Sequence, residues 1–242
     1  MFFLDISLQL EQNMCFVFIL IFTMRLFLIA VGMAVSTGAF AQTFYGPTPY
    51  LQHSDSPWFG MAGLQLEDAE DGSFDIIGAS CDYLALSSNF GEGLIDSVDI
   101  DDGILNGTGQ QGPAGVGDAF WGVNSMSIFF GINNVALPTH AGFVWTDGDN
   151  PIAFEAFDAN GVSLGTLNGQ HADNNYLGAT DEDRFYGVSY AGGISRITIT
   201  NLNGIEIDHI QVAGAAVPEP ATMIGLGIAL GYLAKRRRPA RT

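Results

Sequence analysis

Between residues 42 and 213 the chain predicts an all-β sandwich, and three features carry that expectation. Short runs of alternating apolar and polar residues are broken by Gly, Asn and Asp, the pattern of strands joined by tight turns. No segment in this range sustains an apolar stripe at the 3.6-residue helical period, and nothing repeats at a fixed interval. A hairpin signal is also present: Phe154-Glu155-Ala156-Phe157 and Val162-Ser163-Leu164 flank Asp158-Ala159-Asn160-Gly161, where Asn-Gly supplies positive φ at low steric cost.

The first 41 residues read as an export signal. Residues 1–13 hold Asp5 and Glu11 and no basic residue, a poor start for such a signal. From Met24 the order is right: Arg25 gives the positive region, residues 26–35 the apolar core, and Ala39-Phe40-Ala41 a small-x-small cleavage site. Translation is therefore expected to start at Met24, or else the first 23 residues lengthen the signal, and the mature chain begins at Gln42.

Strands are expected at residues 63–67, 82–87, 125–130, 142–146, 152–158, 162–167, 184–190, 194–201 and 205–212. The Gly- and Gln-rich residues 106–117 should form a surface loop, and residues 214–217 a short linker. In the last strand the apolar phase changes. Ile205 and Ile207 share one parity and Ile210 and Val212 the other, so either a bulge re-aims Asp208 or His209, or both faces of the strand are buried.

Residues 42–216 suffice for one domain with a sizeable core. Of the chain's 26 acids all but Asp5, Glu11 and Glu219 fall there, leaving 23 against Arg184 and Arg196, a net charge of −21. That balance excludes nucleic acid and anionic lipid as partners and favours cations, calcium above all outside a cell. A solvated acidic surface that keeps an exported protein soluble accounts for it equally well. With so few cations available, Arg184, between Asp183 and Phe185, is expected to pack its stem and bond a carboxylate. Cys15 leaves with the signal, so Cys81 has no internal disulfide partner and reads as a small buried hydrophobe.

Several enzyme-like strings carry little. Gly107-Thr108-Gly109-Gln110-Gln111-Gly112 fits GxGxxG, but Pro113 follows where a dinucleotide fold needs a helix. Gly187-Val188-Ser189-Tyr190-Ala191 resembles a nucleophile elbow, yet it lacks the final Gly and runs on into a β-like segment. His53, His140, His171 and His209 have no metal-ligand spacing. The acidic groups offer more. Glu67-Asp68-Ala69-Glu70-Asp71 follows an early strand, and residues 96–103 are densely acidic without the spacing of an EF-hand loop. Glu67, Asp68 and Asp208 would converge as a calcium site where the early and last strands pair.

The C-terminal residues 214–242 have a separate logic. Val217-Pro218-Glu219-Pro220 precedes an apolar run at residues 221–234, closed by Lys235-Arg236-Arg237-Arg238 within the basic end 235–242. Fourteen residues make about 21 Å of helix against a hydrocarbon core of roughly 30 Å, a weak and temporary anchor in the inner membrane. The basic stop should stay cytoplasmic, with everything before Val217 on the far side. Pro218 and Pro220 keep the motif extended and accessible. An ordinary single-span anchor is the plainer alternative.

This tripartite end resembles the PEP-CTERM signal. The resemblance implies an exosortase-type processing enzyme as partner and a final location on the cell surface or in the extracellular matrix of a Gram-negative bacterium. Residues 96–103, 142–148, 154–165, 182–188 and 205–209 further resemble an uncharacterised group of PEP-CTERM ectodomains, which implies a carbohydrate-module-like, jelly-roll-like sandwich without an established activity. The expected role is a non-enzymatic exopolysaccharide-binding or structural module, in which Trp58, Trp121, Trp145 and Tyr176 would stack on sugars or else fill the core. The alternative is a hydrolase of matrix polysaccharide that uses a carboxylate pair about 5 to 10 Å apart.

Overall fold

A computed structural model of the chain describes residues 40–90, 97–98, 100, 118–172, 174 and 182–215. The export signal before residue 40, the GxGxxG string, Tyr176, most of the acidic segment 96–103 and the tail from residue 216 lie outside the described residues. Residues Phe40–Val217 form one compact unit. Its strands are β1 (Thr43–Pro49), β2 (Gln65–Glu67), β3 (Ala79–Cys81), β4 (Ala85–Leu86), β5 (Phe120–Gly122), β6 (Ser125–Phe130), β7 (His140–Gly148), β8 (Ile152–Asp158), β9 (Ser163–Gly169), β10 (Arg184–Ser189), β11 (Ile194–Thr200) and β12 (Ile205–Ala213).

They make two antiparallel sheets. The seven-stranded one runs β1-β10-β7-β12-β5-β4, with β2 also on β12, and the five-stranded one runs β3-β6-β11-β8-β9. Within them β5-β12-β7-β10 and β6-β11-β8-β9 form the two four-stranded sets of a jelly roll, in which the chain crosses repeatedly between sheets. The fold is thus the expected jelly-roll-like β-sandwich.

Alternation builds the core. Met126, Ile128 and Phe130 of β6, Phe154 and Ala156 of β8, and Ile197 and Ile199 of β11 face Phe143 and Trp145 of β7, Tyr186 of β10, and Ile205 and Ile207 of β12. Phe143 stacks on Tyr186 with centroids 5.5 Å apart and meets Phe154 edge-on at 5.4 Å. Such pairs contribute about 0.5–1.5 kcal/mol beyond their buried area.

The seven-stranded sheet is covered on its outer side too. Residues between β1 and β2 fold over it, and Tyr50 and Trp58 form a second cluster with Val98, Val144 and Phe185. With the core on one side and this cover on the other, all nine residues of β12 are buried. The phase change there also marks a bulge. The pairing with β7 slips between Asp208 and Gln211, and His209 takes φ 41. Both readings of the apolar pattern therefore hold together.

The predicted hairpin joins β8 to β9. Asp158 accepts the Asn160 and Val162 amides on Oδ1, each at 2.8 Å, and Gly161 alone takes positive φ, at 75°. A side chain at Gly161 would meet no neighbour, so its backbone angle, not space, favours glycine. The elbow-like string lies in β10 and the turn after it, as strand, with Ser189 beside the Tyr45 hydroxyl at 3.2 Å.

Candidate functional site

The structure does not bring Glu67, Asp68 and Asp208 to one place. β2 does pair with β12, and Glu67 stands opposite Ile210. Ile210 points into the core between the sheets, however, whereas Asp208 binds the Val98 amide on the outer side. Glu67 and Asp208 thus face opposite sides of the sheet. Each holds two backbone amides: Ala69 at 3.0 Å and Asp75 at 2.5 Å on Glu67, Val98 at 3.1 Å and His209 at 2.5 Å on Asp208. Asp68 accepts the Glu70 amide at 3.4 Å. Burial pushes the Glu67 carboxyl above its ordinary pKa, against the pull of its two amides. Among the described residues, no group of three or more His, Cys, Asp or Glu side chains is placed to hold a metal ion.

Two of the four aromatic residues expected to meet sugars are core. Trp145 is fully buried between the sheets, and Trp58 belongs to the outer cover, buried against Phe185 and His140. Trp121 is half-buried on β5, opposite Glu206. Arg184 is half-buried, and its Nη1 donates to the Asp183 carbonyl at 2.8 Å. Cys81 is partly buried, with its thiol pushed up to about 12 by burial, so it stays protonated and unreactive.

The residues left facing solvent in an ordered array lie on the outer face of the five-stranded sheet. Its three central strands align them in rows. Phe129 of β6, Arg196 of β11 and Phe157 of β8 are direct cross-strand neighbours, and so are Ser127, Thr198 and Glu155 in the next row. Thr166 and Asn168 of β9 extend the rows beside Glu155 and Ala153. Ser125, Phe129, Thr166, Asn168 and Thr200 are exposed, Phe129 to 37%.

The arrangement is preorganised. The Arg196 guanidinium carbon lies over the Phe157 ring, 3.9 Å from its centroid, and 6.0 Å from that of Phe129, a cation–π contact that restrains the side chain. Arg196 Nε is buried and has no hydrogen-bond partner. Ser127 and Thr198 share a hydrogen bond at 3.1 Å, and Ser163 donates to Glu155 Oε1 at 2.5 Å. A row from β6 to β8 spans two strand spacings, about 10 Å, the length of a disaccharide. The face thus offers the exposed Phe129 ring, the half-buried Arg196 guanidinium and Phe157 ring, and the exposed hydroxyls of Thr166 and Thr200. These residues were missed in the sequence; a large aromatic or Arg on the solvent parity of an alternating strand was the signal, visible at Phe129, Phe157 and Arg196.

Residues 216–238 match the PEP-CTERM protein-sorting motif, which covers the expected motif, apolar run and basic stop. The chain matches no curated protein and no solved structure. The chain thus carries a PEP-CTERM protein-sorting motif, which supports an exported, exosortase-sorted protein.

Proposed function

We propose that this protein is a surface or matrix module that binds polysaccharide through the outer face of its five-stranded sheet. The observation that carries the reading is the cation–π row Phe129-Arg196-Phe157, with Phe129 exposed and Arg196 and Phe157 half-buried, on a sheet whose opposite partner has its own outer face covered. The sorting tail agrees, since it delivers the domain to the layer where exopolysaccharide lies. Binding is favoured over hydrolysis by geometry. Among the described residues the rows of this face hold one carboxylate, Glu155, and the neighbouring Asp82 carboxylate is taken up by the Ser127 backbone amide, whereas glycoside hydrolysis needs two carboxylates placed about the scissile bond within about 10 Å.

The test uses the full-length chain expressed in an exopolysaccharide-producing, exosortase-containing Gram-negative host. Wild-type protein is expected in the surface and matrix fractions. Pro218→Ala with Pro220→Ala should hold it in the membrane fraction, and Phe129→Ala with Phe157→Ala should be sorted normally but release from the matrix into the medium. Matrix retention equal to wild type in the double Phe variant would refute the proposed face.

A further inference from the structure

We infer that the glycan taken by this face is uncharged, a neutral hydroxyl-rich polymer rather than a uronate-bearing or sulfated one; this rests on the polysaccharide-binding reading above. An acidic glycan has carboxylates or sulfates at short intervals and needs repeated cations to hold them. The face has one, Arg196, and it is bordered by the carboxylates of Glu155 and Asp82. Around it the exported domain carries −21, with Arg184 its one other cation and that side chain bonded back to the Asp183 carbonyl. A polyanion would therefore be repelled at every register along the face.

The same residues suit a neutral chain. The guanidinium, held over Phe157, has donors for ring and hydroxyl oxygens. Glu155 accepts from hydroxyls, as it already does from Ser163. Phe129 presents an exposed ring to the apolar face of a sugar. A carboxylate that helps to grip a neutral sugar is the group that would exclude an acidic one, so affinity and selectivity come from one side chain.

The experiment is calorimetric titration of full-length protein in a non-ionic detergent against two sets of probes. Laminarin, galactomannan and hydroxyethyl cellulose are neutral; alginate and polygalacturonate are acidic. At least one neutral probe is expected to bind, unchanged between low and high salt, with the acidic probes weaker by roughly tenfold or more. Arg196→Ala and, separately, the exposed Phe129→Ala should each weaken neutral binding by about tenfold while circular dichroism stays that of the wild type. Glu155→Gln should raise the affinity for the acidic probes relative to the neutral ones. Acidic probes binding as tightly as neutral ones would overturn the inference while leaving the polysaccharide reading intact. Binding of no probe in either set would overturn both.

Discussion

His171 shows how one half-buried side chain sets a response to pH. Its Nε2 lies 2.8 Å from the Tyr186 hydroxyl, and burial, helped by the Arg184 charge, lowers its pKa from the ordinary 6.5 to about 4. The folded state then binds fewer protons than the unfolded one between those values, so stability is lost as pH falls from 6.5 toward 4. The unfolding midpoint of the wild type should drop over that window, and His171→Gln should drop less; parallel curves would contradict the assignment. Glu67 acts in the opposite sense. Its raised pKa means that the folded protein binds the proton more tightly, so its contribution diminishes as pH rises above the ordinary value of 4.5. Glu67→Ala strands the Ala69 and Asp75 amides and should cost about 1–3 kcal/mol in denaturant unfolding at neutral pH.

At the scale of elements, legibility followed strand length and local pattern. β6 and β8 were predicted with their observed ends because each alternates over six or seven residues. β1 was missed since Gly46, Pro47 and Pro49 argue against a strand, which an edge position tolerates. β3 and β5, three residues each, are too short to show a period. The bulge in β12 was readable as a phase change, but the cover over the outer face of that strand comes from residues more than a hundred positions earlier. The same limit applies to the site. Phe129, Phe157 and Arg196 meet only through the register of three strands, and no local pattern encodes that pairing. Glu67 and Asp208 failed to meet for a related reason: paired strands bring residues together only when their parities match.

For the whole molecule, charge is the dominant property. A domain at −21 repels itself, and any cation that screens it should stabilise it. Calcium bound at Glu67, Asp68 and Asp208 would have to displace the amides these carboxylates already hold. Calcium and magnesium at equal ionic strength are therefore expected to raise the unfolding midpoint of the full-length chain by the same amount; a calcium-specific rise lost in Asp208→Ala would instead establish a site. Among the described residues the jelly roll leaves one broad face open and covers the other, and the central claim is that the open face is where the ligand lies. Hydrogen–deuterium exchange of the full-length protein with and without laminarin tests it directly. Protection is expected in residues 125–130, 152–158 and 194–200, with the outer cover at residues 50–64 unchanged; protection confined to that cover, with the three strands unaffected, would contradict the claim.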